Sequence, residues 1–180
     1  MGLTINYSLV RERTPEELLK KAEIIANNLG FKIEERSWNK LIINPHDESE
    51  WICLHFHKVK NIKPAYKDGK MTDDWSIDGA KLQDIKDPDP EEWFCGGFVK
   101  THYAGFKTHI KVAEFMRYVA SYCEKTDIND ESDYYEKGYS EKSAEELKIY
   151  LDDYNGMLGN LTGQLKDVFG KENVILGSDL

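Results

Sequence analysis

The sequence predicts an α+β fold: a mainly antiparallel sheet with about three amphipathic helices packed on one face. Three observations lead there. Stretches in which apolar residues alternate with polar ones are interleaved with stretches in which they recur every three or four positions. The order reads β-α-β-β-β and then β-α-β-α, with several short strand-to-strand links. No internal repeat, coiled coil or low-complexity linker divides the 180 residues. Residues 1–180 are therefore read as a single domain, with a long irregular insertion at about 60–92.

Leu3 to Arg11 is the first expected strand, because Leu3, Ile5, Tyr7 and Leu9 alternate with Thr4, Asn6 and Ser8. A helix start follows: Thr14 suits the cap, Pro15 the first helical position and Glu17 the capping-box acid. Leu18, Ala22, Ile25 and Leu29 then share one face, and Gly30 closes the helix in a left-handed conformation. Phe31 to Trp38 and Lys40 to Asn44 read as strands, broken by Pro45-His46-Asp47. The next strand, Trp51 to Val59, places Ile52, Leu54 and Phe56 on its apolar face and His55 and His57 together on the other.

Lys60 to Glu92 is rich in Lys, Asp and Pro, and is the expected place for a lid. Trp93 to Ala104 reads as a strand in which Phe98, Lys100 and His102 share one face and Val99, Thr101 and Tyr103 the other. Its Gly96-Gly97 pair points to a bulge or a close backbone approach. A second helix is expected from about Thr108 to Lys125, buried along Val112, Phe115, Met116, Val119 and Cys123, and a short strand within Ile128 to Tyr135. The last helix, capped by Ser143 with Glu146, carries an apolar stripe from Leu147 through Leu158 to about Phe169. That stripe should stabilise the chain more than the polar, Pro-broken insertion does.

Composition excludes several classes. The net charge of -9 leaves no basic footprint for nucleic acid. Asp127 to Asp153 holds ten acids and three bases, a local charge of -7, most simply a solvated acidic face. No run of about 18 apolar residues predicts a membrane span. The segment Met1 to Tyr7 lacks the basic start and apolar stretch of a signal peptide. Cys53, Cys95 and Cys123 are odd in number and far apart, which argues against a disulfide framework or a four-cysteine zinc site. A cytoplasmic, acidic, soluble protein is expected.

The opening Gly2-Leu3-Thr4-Ile5-Asn6-Tyr7 resembles a family of uncharacterised microbial proteins that begin with a Gly-Leu-Thr-Ile-His-Tyr-like strand. Phe98-Val99-Lys100-Thr101-His102-Tyr103-Ala104 is similar to that family's Phe-Cys-Lys-Thr-Gln-Tyr-Ala motif, with departures at Val99 and His102. No activity attaches to the family, so the resemblance implies none here.

Candidate chemistry begins with His55 and His57, whose imidazoles should project from one strand face at a spacing that suits two ligands of one metal, with His102 or Cys95 as further donors. Lys100, His102 and Tyr103 could hold an anion or exchange protons, with Trp75 and Trp93 as an apolar wall for a small ligand. Asp127, Asn129 and Glu131 alternate like calcium ligands, but Ser132 stands where the loop needs Gly and Gly138 where it needs Glu. His109 falls at a helix start, a position open to water. No phosphate loop, dinucleotide-binding, zinc-protease or nucleophile-elbow motif occurs. The expectation is a cytosolic module that binds a small ligand or a protein without catalysis, with no cofactor and no tightly bound metal. The alternative is a small metal-assisted hydrolase using the His55/His57 face. The sequence sets no oligomeric state.

Overall fold

In the computed structural model Thr4–Arg11 forms β1, the strand around which the rest is built. The structure describes residues 3–59, 89, 91–138, 140, 142–152 and 156, together with the backbone of 66–67, 70–71, 76–77 and 80–81. The strands after β1 are β2 (Lys32–Arg36), β3 (Lys40–Asn44), β4 (Ile52–His55) and β5 (His57–Lys58). Two small hairpins lie in the insertion: β6 (Tyr66–Lys67) with β7 (Lys70–Met71), and β8 (Ser76–Ile77) with β9 (Ala80–Lys81). β10 (Trp93–Lys100) and β11 (Lys125–Asp130) complete the strands. The helices are α1 (Glu16–Asn28), α2 (Gly105–Ala120) and α3 (Tyr134–Lys137), and 142–152 is helical. All strand pairing among the described residues is antiparallel, so the α+β reading holds.

One sheet has the order β11-β1-β10-β5 and a second the order β2-β3-β4. β1 faces inward through Leu3, Ile5, Tyr7 and Leu9, which share one core with Leu18 and Leu19 of α1, Val112, Phe115 and Met116 of α2, and Leu147 and Leu151 of the last helix. Strands of both sheets enter the same core, Leu41 and Ile43 from β3 and Ile52 and Leu54 from β4. The helices therefore cover one face. The other face, where Val10 pairs with Phe94, is also buried at that point. The β8–β9 hairpin lies against both β1 and β10.

The elements differ from the sequence reading in five places. Pro15, not Thr14, takes the cap position of α1, and its carbonyl accepts the N–H of Leu19. The strand expected over Trp51 to Val59 is interrupted at Phe56, so that β4 belongs to one sheet and β5 to the other. β10 stops at Lys100 and passes into a short 3-10 turn, His102–Ala104. α2 ends at Ala120, and Lys125 already begins β11. Ser140 rather than Ser143 caps the last helix: Ser140 Oγ accepts the N–H of Ser143 at 3.0 Å, and Ser143 Oγ accepts that of Ser140 at 2.8 Å. Gly30 has the expected positive φ of 79°. The stripe beyond residue 156 and Trp75 lie outside the described residues. Among the described residues no helix is long and apolar enough to cross a membrane.

Candidate functional site

The candidate residues gather at the two ends of β10, about seven strand rises apart. Each group is built by a different local device.

At the start of β10 stand Trp93, His55, His57 and a residue the sequence reading passed over, Trp38. The tight turn joining β2 to β3 carries Trp38 at its tip, with Ser37 N–H bonded to Lys40 O. Asn39 fixes that tip to the break between β4 and β5: its carbonyl accepts the N–H of Phe56, and its side-chain amide donates to Phe56 O at 3.0 Å. Trp38 is thereby set edge-to-face on Trp93, with ring centres 5.4 Å apart, while 53% of Trp38 stays exposed. Lys58 lies 5.5 Å from the centre of the Trp93 ring and pairs with Glu91 at 2.6 Å. The interruption at Phe56 also changes the histidines. Their ring centres are 3.9 Å apart, closer than two positions on one regular strand would give. Phe56, fully buried, anchors the step between them.

At the end of β10 stand Lys100, His102 and Tyr103. Lys100 Nζ is 3.6 Å from Glu50 Oε1 and 5.4 Å from the centre of the Phe98 ring, and Lys100 O accepts the N–H of Glu50. The change to a 3-10 turn after Lys100 ends the alternation, so His102 does not continue the Phe98–Lys100 face; it packs on its neighbour Tyr103 at 3.7 Å instead. Burial, with the positive charge of Lys100 added, holds the His102 imidazole below its usual pKa.

Sequence reasoning also passed over the most fully bonded polar cluster. His109 is completely buried rather than open to water. Its Nε2 lies 2.9 Å from Asp130 Oδ2 and its Nδ1 2.6 Å from Thr101 Oγ1. Ser132 donates both its N–H, at 2.9 Å, and its hydroxyl, at 2.8 Å, to Asp130 Oδ1, and Tyr135 N–H donates to Oδ2 at 3.0 Å. Four donors thus fill the acceptor sites of one carboxylate. Burial opposes the charge on Asp130, but its hydrogen bond and electrostatic attraction to His109, with the two hydrogen bonds from Ser132, outweigh it and hold the carboxyl below its ordinary value.

Hydroxyl, imidazole and carboxylate stand in the order of a hydrolytic triad, but Thr101 and His109 are 0% exposed and Asp130 is 2% exposed. The cluster fastens β10's end, α2, β11 and α3 together inside the protein.

The chain matches no family model, no curated protein and no solved structure with which it was compared. Among the described residues no three of His, Cys, Asp and Glu converge as metal ligands. Cys123 Sγ lies 3.6 Å from Val119 O, and Cys95 Sγ lies 3.8 Å from Cys53 O.

Proposed function

We propose that this chain is a cytoplasmic binding module that acts without catalysis, and that it recognises its ligand at the start of β10 through Trp38 and Trp93, with Lys58 beside them. The observation that carries the reading is Trp38: a large aromatic, more than half exposed, held in one orientation by Trp93 and by the Asn39–Phe56 bonds. Exposed aromatics on rigid supports are what recognition surfaces spend their contact area on. Lys58, the cross-strand partner of Trp93, adds a polar group beside the two indoles, whereas His57 pairs with Phe94 and so lies on the other face of the sheet. The ligand class is a small molecule or protein segment that presents a flat apolar group to Trp38. The complete burial of Thr101 and His109 supports a role without catalysis, because no substrate reaches that triad-like set.

Titration with planar heteroaromatic fragments, followed by proton–nitrogen NMR, tests this. Saturable shifts should centre on the Trp38 and Trp93 indoles and disappear in Trp38→Ala. Shifts only at other sites, or shifts that survive in Trp38→Ala, would remove this surface from the proposal.

A metal-assisted hydrolase is the second reading, and it draws on the 3.9 Å between the His55 and His57 rings, which could offer two nitrogens to one metal. One equivalent of zinc in untagged protein, with ester hydrolysis lost in both His55→Ala and His57→Ala, would put it first.

A further inference from the structure

A cleft of about 220 Å³ opens between the end of β1, the first turns of α1 and the turn that joins α2 to β11. Arg11, Arg13, Glu17, Lys21, Tyr122 and Glu124 line it. Arg11, the last residue of β1, is 6% exposed. Its Nη1 donates to Tyr122 O at 2.7 Å, which fixes the guanidinium plane. Its Nε is buried without a hydrogen-bond partner among the described residues. A guanidinium carries five donors and no acceptor, so Arg11 brings donor capacity that its bond to Tyr122 does not use to the wall of the cleft.

The charges around it favour an anion. Lys21 Nζ sits 3.0 Å from Glu17 and 4.6 Å from the centre of the Tyr122 ring, so this lysine and Glu17 offset each other. Glu124 is turned to the backbone, where its Oε2 accepts the N–H of Glu12 at 3.1 Å. Arg11 and Arg13 against Glu124 leave one net positive charge, a local reversal in a chain of net charge -9.

We propose that this cleft binds a small tetrahedral oxyanion of the phosphate class, held by Arg11 and Arg13 with Lys21 at its edge. A planar carboxylate offers two oxygens. Three cationic side chains from β1, the β1–α1 link and α1 find acceptors more readily on a phosphate, and guanidinium groups pair with it bidentately. The volume is below the roughly 300–1,000 Å³ of drug-sized pockets, which restricts the occupant to inorganic phosphate or a small phosphate monoester. The site is distinct from the Trp38 surface, since none of Trp38, His55 and His57 lines it.

The test titrates the full chain with inorganic phosphate and with glycerol 2-phosphate at constant ionic strength. The readout is the Arg11 Nε–H signal and the amides of Arg13, Tyr122 and Glu124. Both probes should give saturable shifts there, unchanged in Trp38→Ala, and the tighter of the two tells a free phosphate site from an ester site. Arg11→Gln endangers folding, so the variants are Arg13→Gln and Lys21→Gln, on the rim. Each should keep a wild-type spectrum and weaken binding about tenfold, the loss of one charge-assisted hydrogen bond. Shifts that rise without saturating, that sodium chloride reproduces, or that persist unweakened in both variants would overturn the proposal.

Discussion

Tyr7 and Gly97 face each other across β1 and β10, and the Tyr7 ring occupies the space that a side chain at position 97 would need. The Tyr7 hydroxyl crosses the glycine to donate to Cys53 O at 2.9 Å and accept from Cys53 N–H at 3.3 Å. It joins the two sheets at a point between the Glu50–Lys100 bond and the β5–β10 pairing. A Cβ on Gly97 would lie 2.7 Å from the Tyr7 oxygen and 2.9 Å from Cζ. Gly97→Ala must push the ring off Cys53, at a cost of about 1–3 kcal/mol for the overpacking alone. Tyr7→Phe removes both bonds to Cys53. Because each change breaks the same contact, urea melts of the double variant should show less destabilisation than the two single losses added. Strict additivity would mean that the ring and the glycine are not coupled.

The Asp130–His109 pair should govern stability in acid. The Asp130 carboxyl is held below its ordinary value of about 3.9, so the pair's contribution is complete above that pH. It is lost as the pH falls through the lower, folded value. Asp130→Asn removes one partner of a buried pair and should cost about 3–5 kcal/mol at pH 7. Below pH 4 the variant should lose less stability with falling pH than the wild type, since one titrating group is gone. Parallel pH profiles for the two proteins would show that Asp130 is not the group responsible.

Periodicity marked out β1, α1 and β3 because each buries one regular face against the core. It failed where long-range contacts decide. Thr101 and Tyr103 continue the alternation of β10 on paper, yet Thr101 leaves the strand conformation with φ -125° and ψ 2°, and its hydroxyl meets His109. The signal for His109 was local: it stands three residues before Val112 and seven before Met116, on the buried stripe of α2. A polar residue there needs a partner, and Asp130 lies 21 positions away on another element. Trp38 was expected at the end of a strand from Phe31, but β2 stops at Arg36 and a turn presents the indole instead.

Cys123 should react slowly with alkylating reagents. Burial pushes its pKa up to about 12, so at pH 8 almost none of it is thiolate, the form that attacks. Its Sγ also points at Val119 O, 3.6 Å away. Mass spectrometry after brief alkylation of native protein at pH 8 should find Cys123 unmodified, and modified only on unfolding. Rapid native labelling at Cys123 would mean that the turn after α2 opens readily.

Removing the insertion should cost more than its polar composition suggests. Val10 and Phe94 are cross-strand partners, 0% and 1% exposed, on the face of the sheet away from the helices. Neither belongs to the main core, and the β8–β9 hairpin lies against the two strands that carry them. Replacing 60–89 with a short Gly-Ser linker uncovers both side chains. At about 1.5–3 kcal/mol for each, the loss is roughly 3–6 kcal/mol. That approaches the roughly 2–5 kcal/mol expected for Leu147→Ala or Leu151→Ala on the last helix. The deletion should also bind a dye that reports exposed apolar surface, which neither leucine variant should do while folded. If the deletion melts like the wild type and binds no dye, Val10 and Phe94 are covered by something other than the insertion.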